Sequence, residues 1–219
     1  KGVDVSTSQP SPTEVMDMWK EMLEEYEEIV YIPLSSGLSG SCMSAQAMAN
    51  EEKFAGKVFV VDNGRVATPM HRSVLDAVEM VEKGYSGAEI KKILEETREK
   101  MIIYIGLSTL EYLKKGGRIS SMTALAANVL NIKPVMGADK GVIVKLDQAR
   151  GINKGLARMC AIAVKDAGDT AEKTAVIAHC NNRGRAEQVR DELLKLAPFK
   201  EIVITETAGV ATVYAGGGG

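Results

Sequence analysis

Residues 29–46 read IVYIPLSSGLSGSCMSAQ and contain the clearest indication of the fold class. This stretch opens with a short run rich in β-branched residues, passes through serines and glycines, and continues as a helix-like segment. This order predicts a buried strand at 29–35, a turn at 35–40 and a helix from Ser41. The turn carries no charged side chain. Because helix N-termini have unpaired N–H groups, this serine turn is a candidate site for a small polar group.

The same alternation of strand and helix continues along the chain. Further strands are predicted at 57–62, 101–108, 174–180 and 201–207. Helices are predicted at 11–26, 44–54, 69–83, 88–100, 121–131, 152–166 and 184–196, and a hairpin at 133–146. Alternating strands and helices indicate βα units and a largely parallel sheet, so the fold class is α/β.

Two helix starts carry the pattern of a capping box, in which a serine is followed three residues later by a glutamate. These are Ser11 with Glu14, where Pro12 takes the first turn, and Ser86 with Glu89. Apolar residues recur at helical spacing in two helices and predict core-facing stripes. The stripes consist of Val15, Met18 or Trp19, Met22 and Tyr26, and of Val74, Leu75, Val78 and Val81.

The pattern of predicted strands and helices changes near Lys115–Gly117, and we place a domain boundary there. Residues 1–115 are predicted to form an N-terminal α/β domain, and residues 116–219 a C-terminal α/β domain with a hairpin insertion. Ligand sites of such pairs often lie between the domains.

The composition excludes several classes of protein. The chain has 219 residues, 45% hydrophobic and 26% charged, with a net charge of −2 and no basic block. This argues against a nucleic-acid partner and against disorder. Cys42, Cys160 and Cys180 lack metal-ligand or CxxC spacing, so we expect free thiols and no metal or other cofactor. No apolar run approaches the roughly 18 residues of a transmembrane segment, and we expect a cytoplasmic protein.

Several interpretations of the serine turn remain open. A turn without Lys or Arg suits a carboxylate better than a triphosphate, and the GxxxxGK[ST] pattern is absent. The serines would also serve as helix caps without any ligand. A third hypothesis is a hydrolase or transferase that uses Ser36, with His71 or His179 as base, although GLSGS departs from GxSxG. A regulator that binds a phosphate ligand is a fourth.

Other polar stretches are candidates for the same chemistry. Thr7 and Ser8 precede the first helix, where they would otherwise act as caps. Arg118 follows two glycines and would grip a carboxylate or phosphate with its guanidinium, or pair on the surface. The segment NNRGRAE (181–187) is a weaker anion candidate, because a solvated helix start explains it as well.

Three motifs occur together in this order: TSQPS at 7–11, SSGLSG at 35–40 and GGRIS at 116–120. Together they resemble the DegV family of bacterial fatty-acid-binding proteins, some of which are the acyl-binding subunit of fatty acid kinase. The resemblance spans essentially the whole chain. It implies two α/β domains with a lipid-binding tunnel between them. Family members usually begin with a further strand–helix–strand unit, which predicts that the N-terminal part of the first domain is missing here.

The resemblance also implies which residues hold the ligand. A long-chain fatty acid would place its carboxylate on the hydroxyls of Thr7 and Ser36 and on the N–H of Gly37, with Ser8 as a neighbour. Arg118, from the GGRIS motif, would lie near the head group and near an ATP-binding fatty acid kinase subunit. The protein itself would be non-catalytic and would present the acid to that partner.

One motif departs from the family pattern. Family members typically read His-x-Gly-Pro-Gly near this point, whereas this chain reads Tyr214-Ala215-Gly216-Gly217-Gly218. Tyr214 is therefore the expected replacement ligand, since its O–H donates a hydrogen bond but carries no imidazolium charge.

Overall fold

The computed structural model describes residues 5–118, 131–139 and 141–217 of the chain. These residues form two compact units. The N-terminal unit contains residues 8–101 and 141–142, and the C-terminal unit contains residues 5–7, 102–118, 131–139 and 143–217. The units part between Met101 and Ile102, and the domain boundary at 115–117 stays a prediction. The helix expected at 121–131 lies almost wholly outside the described residues.

The N-terminal unit alternates helices with short strands. Its elements are α1 (Pro12–Met22), β1 (Ile29–Tyr31), α2 (Ser41–Ala49), β2 (Val58–Val60), α3 (Ala67–Glu82), α4 (Gly87–Glu96) and a 3-10 turn at Arg98–Lys100. Strands β1 and β2 pair in parallel, with Ile29 opposite Val58 and Tyr31 opposite Val60. The predicted βα arrangement is therefore present in this unit.

The core of the N-terminal unit is built around Trp19, which is 0% exposed. Its ring forms T-shaped pairs with the rings of Tyr31 and Phe54, at centroid distances of 5.2 and 5.3 Å. Val15 of the same helical stripe is buried as predicted, whereas Met22 and Tyr26 are exposed. The apolar stripe of α1 therefore covers the core only in its first two turns.

Two sequence expectations about the helices are wrong in this unit. The side chain of Ser11 makes no capping hydrogen bond, although Pro12 opens α1 as expected. In α3 the buried residues are Ser73 and Ala77, so the stripe of larger apolar side chains faces outward. Ser73 Oγ accepts hydrogen bonds from the buried Asn63 and Arg65 side chains, and this polar network decides which face of α3 is buried. The other capping box, Ser86 with Glu89, is confirmed in both directions.

The C-terminal unit contains two sheets. Its elements are β3 (Tyr104–Gly106), α5 (Glu111–Lys115), β4 (Ile132–Asp139), β5 (Val142–Arg150), α6 (Ile152–Ala167), β6 (Thr174–His179), α7 (Arg183–Leu196), β7 (Glu201–Glu206) and α8 (Gly209–Ala215). Strands β6 and β7 are parallel, and β3 pairs antiparallel with β4. The expected hairpin strands β4 and β5 are neighbours in that sheet. The prediction of parallel pairing is therefore wrong for β3.

Helices α6 and α7 supply a core cluster of the C-terminal unit. Leu156 and Cys160 of α6 are buried with Val189 and Leu193 of α7. No helix in the described ranges is long and apolar enough to cross a membrane.

Candidate functional site

The serine turn follows β1 and leads into α2, as the sequence predicts. The N–H groups of Leu38 and Ser39 both donate to the carbonyl of Ser35, which closes the turn. The N-cap residue of α2 is Gly40, and the Oγ of the preceding Ser39 accepts from the Ser41 N–H at 3.2 Å. A serine of the turn thus satisfies a backbone group at the start of α2, but that serine is Ser39 and not Ser36.

Ser35 connects the turn to a distant part of the chain by a hydrogen bond. Its side chain is buried, and its Oγ donates to the carbonyl of Gly141 at 2.8 Å. The N–H of Gly37, a predicted ligand donor, donates to the same Oγ at 3.2 Å. A Cβ on Gly37 would lie 2.7 Å from the Gly141 carbonyl oxygen, so only glycine permits this approach. Gly37 therefore has a structural role beside its predicted one.

Ser36 is exposed and contacts an acidic residue. Its Oγ donates to Asp62 Oδ2 at 2.7 Å, and its N–H points at Oδ1 at 3.5 Å. Arg98 Nη2 lies 3.3 Å from Asp62 Oδ1. Burial alone would raise the pKa of Asp62, but the hydrogen bonds from Ser36 and the charge of Arg98 outweigh it and lower this pKa below its usual range.

Sequence reasoning missed both Asp62 and Arg98. A signal for Asp62 was available, since it follows β2 just as the serine turn follows β1. The carboxyl ends of neighbouring parallel strands meet at one edge of a sheet, where ligands of α/β proteins commonly bind. Arg98 follows α4 in the 3-10 turn and gave no comparable signal.

A second polar cluster lies in the C-terminal unit. The hydroxyl of Thr7 is hydrogen-bonded to the phenol oxygen of Tyr214. The Arg118 guanidinium lies over the Tyr214 ring, 5.3 Å from its centroid, and donates from Nη1 to the Gly116 carbonyl at 2.6 Å. Three of the predicted site residues, Thr7, Arg118 and Tyr214, are therefore brought together.

The glycines of this cluster have a specific packing function. A Cβ on Gly116 would lie 2.2 Å from Cε1 of Tyr214, and one on Gly216 would lie 2.2 Å from Cε2 of Tyr112. Each tyrosine ring thus lies directly on a glycine of the other segment. The Tyr214 ring therefore fills the space that a side chain at position 116 would occupy.

Replacing Gly116 by Ala is expected to lower the free energy of unfolding by about 1–3 kcal/mol, because the new methyl group displaces the Tyr214 ring. Gly184→Ala is the matched control, since a Cβ there meets nothing within 4 Å. This control should leave stability unchanged or raise it by up to about 1 kcal/mol. Urea unfolding followed by circular dichroism measures both, and equal midpoints for the two variants would contradict the packing of Tyr214 on Gly116.

The remaining candidate residues are Ser8, His71 and His179. Ser8 is exposed and belongs to the N-terminal unit, with Ser36 and Gly37. His71 is exposed, while His179 is buried with its Nδ1 accepting from the Asn182 N–H. Ser36 contacts a carboxylate rather than an imidazole, so its surroundings do not favour the hydrolase hypothesis. The roles of all six predicted site residues stay predictions.

Two further sequence expectations concern cysteines and the anion candidate at 181–187. The three cysteines are buried free thiols, as expected. Among the described residues no group of three or more His, Cys, Asp or Glu side chains is arranged to hold a metal ion. In the 181–187 segment, the Asn182 side chain caps α7 by accepting from Arg185 N–H. This helix start explains the segment without a ligand.

The sequence matches the family model described as "Uncharacterised protein, DegV family" over residues 2–219. The chain belongs to the DegV family. A DegV domain-containing protein of Deinococcus radiodurans is 32% identical over 214 residues, which cover 97% of this chain and 75% of that protein. The predicted family resemblance is thereby confirmed.

Solved structures of DegV proteins share the fold. A fatty-acid-binding DegV family protein from Thermus thermophilus has a TM-score of 0.86 at 30% identity, covering 97% of this chain and 76% of that one. The Streptococcus pneumoniae fatty acid kinase B3 protein, loaded with linoleic acid, has a TM-score of 0.81 at 25% identity, covering 99% and 76%. The α/β fold class predicted from the sequence is therefore confirmed.

Proposed function

We propose that this protein binds a long-chain fatty acid and presents its carboxyl group to a separate ATP-binding kinase subunit. The observation that carries the proposal is the likeness to DegV structures that hold fatty acids, including a fatty acid kinase protein. The uncharged serine turn supports it, because hydroxyl and amide groups suit a carboxyl group better than a polyphosphate.

The two parts of such a ligand would contribute unequally. One hydrogen bond to a charged group contributes about 1.5–3 kcal/mol. Roughly fifteen buried methylenes at about 0.8 kcal/mol each contribute on the order of 12 kcal/mol before the cost of ordering. The tail would therefore set affinity, and Thr7, Ser36, Arg118 and Tyr214 would set which head groups are accepted and how they are presented.

Native mass spectrometry of the protein purified from bacteria tests the binding function. We expect an added mass of one long-chain fatty acid, which organic extraction removes. A bare protein that hydrolyses short-chain esters, with activity lost in Ser36→Ala, would support the hydrolase hypothesis instead. A bare protein without turnover that binds phosphate compounds would support a regulator.

Replacing Ser36 by Ala is expected to weaken fatty acid binding roughly three- to tenfold if the carboxyl group is bound neutral, and roughly 10- to 150-fold if it is bound charged, the value of one hydrogen bond in each case. Calorimetry measures the affinity, and circular dichroism melting checks the fold. Melting should change little, because Ser36 is exposed and caps no helix. A variant with unchanged lipid affinity but a lowered melting temperature would assign Ser36 a purely structural role. Ser44→Ala, on the first turns of α2, is the matched control.

A further inference from the structure

The hydroxyl proton of Ser36 is already committed to a partner. Ser36 Oγ lies 2.7 Å from Asp62 Oδ2, a normal distance for a hydrogen bond to a carboxylate. A serine hydroxyl has one proton and two lone pairs, and an ionised carboxylate only accepts. Ser36 therefore donates to Asp62, and its lone pairs face any further partner.

Asp62 is held in its ionised form by its surroundings. Arg98 lies 3.3 Å away, and the N–H of Asp62 donates to Glu95, whose carboxylate also pairs with Lys91 at 3.6 Å. Burial and the charge of Asp62 raise the pKa of the neighbouring Cys42 thiol to about 11, so this thiol is neutral at physiological pH. The negative charges of Asp62 and Glu95 are thus balanced by the positive charges of Arg98 and Lys91. The charge nearest to Ser36 is that of Asp62 and is negative.

We infer that Asp62 makes Ser36 a hydrogen-bond acceptor, so that a fatty acid bound there is a neutral carboxylic acid that donates its O–H to Ser36 Oγ. This inference rests on the proposed function and specifies the form of its ligand. An anionic head group has no proton to donate, so the lone pairs of its oxygens would repel those of Ser36 Oγ. It would also lie near the Asp62 carboxylate, where two like charges 4 Å apart repel by about 1–4 kcal/mol, depending on exposure.

Proton balance gives this inference a measurable consequence. A free carboxylic acid has a pKa of about 4.3, like a glutamate side chain, so it is ionised at neutral pH. Binding in the neutral form raises the pKa of the ligand and takes up one proton from the buffer. Affinity is then complete below the free pKa and falls about tenfold per pH unit as the pH rises toward the raised pKa.

Calorimetry with dodecanoic acid below its micellar concentration tests this at pH 6, where the free acid is still ionised, in two buffers of different ionisation enthalpy. We expect the wild-type protein to take up about one proton per ligand. Dodecan-1-ol, which does not titrate, supplies the baseline for the pH dependence of the tail. Binding of dodecanoic acid without proton uptake would overturn the inference and leave the proposed function standing.

The variant Asp62→Asn removes the negative charge and lets the amide donate to Ser36, which frees the serine proton. We expect proton uptake to fall toward zero and affinity at pH 8 to rise about tenfold. Asp17→Asn, an exposed carboxylate paired with Lys20 at 2.6 Å, is the control and should behave as the wild type. Full proton uptake in Asp62→Asn would contradict the role of Asp62.

Ser36→Ala keeps the inference falsifiable if Asp62→Asn does not fold. Without the acceptor, affinity for dodecanoic acid should fall about three- to tenfold while affinity for dodecan-1-ol changes less, and an unchanged affinity for the acid would overturn the inference. A wild-type protein that binds no fatty acid at any pH would overturn the proposed function and this inference together.

Discussion

Replacing Trp19 by Ala is expected to lower the free energy of unfolding by about 3–5 kcal/mol, the range for deleting a fully buried large aromatic side chain. Trp19 is 0% exposed and contacts Tyr31 of β1 and Phe54, so its loss leaves a cavity between α1 and the β1–β2 sheet. Because whole domains are marginally stable, a loss of this size removes a large part of the total.

Chemical unfolding followed by far-UV circular dichroism measures this effect, since the variant lacks the chain's one tryptophan. Met18→Ala is the matched control, because Met18 is 43% exposed beside it on α1. That change should cost no more than about 0.5 kcal/mol. Trp19→Phe should fall between the two, as it also removes an indole N–H that has no hydrogen-bond partner among the described residues. Equal losses for Trp19→Ala and Met18→Ala would contradict the placement of the core.

Arg118→Ala is expected to slow acyl-phosphate formation by a purified kinase subunit about 100-fold or more, while lipid affinity changes less than about threefold. The reason is that phosphoryl transfer needs positive charge close to the phosphate that accumulates negative charge, whereas binding draws mostly on the buried tail. The guanidinium is held in place by the Gly116 carbonyl and by the face of the Tyr214 ring. This prediction rests on the proposed function.

The assay pairs the rate of acyl-phosphate formation with lipid affinity measured by calorimetry. Lys114→Ala, which removes an exposed cation from the end of α5, is the control and should leave both unchanged. Equal losses of rate and affinity in Arg118→Ala would mean that the arginine only grips the carboxyl group. No loss in either would remove Arg118 from the functional site.

The alternation of strands and helices was predictable because it follows from patterns among residues that are close together in the sequence. Strands β1, β2, β6 and β7 follow apolar β-branched runs, and the capping box at Ser86 joins residues three positions apart. Such interactions involve residues of the same helical turn or the same strand, and these residues are neighbours in the sequence. The family motifs were recognisable for a similar reason, since each is a short run of residues.

The buried face of α3 was not predictable in this way. Periodicity marks an apolar stripe but does not say whether another part of the chain covers it. Here Ser73 is fully buried and hydrogen-bonded to Asn63 and Arg65, while Val78 is half exposed. The polar network decides the orientation of this helix, and its members come from separate segments.

Local sequence patterns were enough to predict the α/β class, the strand–turn–helix at residues 29–46 and membership of the DegV family. The contacts of the site residues, in contrast, depend on the tertiary structure. It set Asp62 against Ser36, 26 positions away, and Gly141 against Ser35, 106 positions away. It also laid the Tyr214 ring on Gly116. These contacts join segments that are far apart in the sequence, and no local pattern of residue types encodes which distant segments meet.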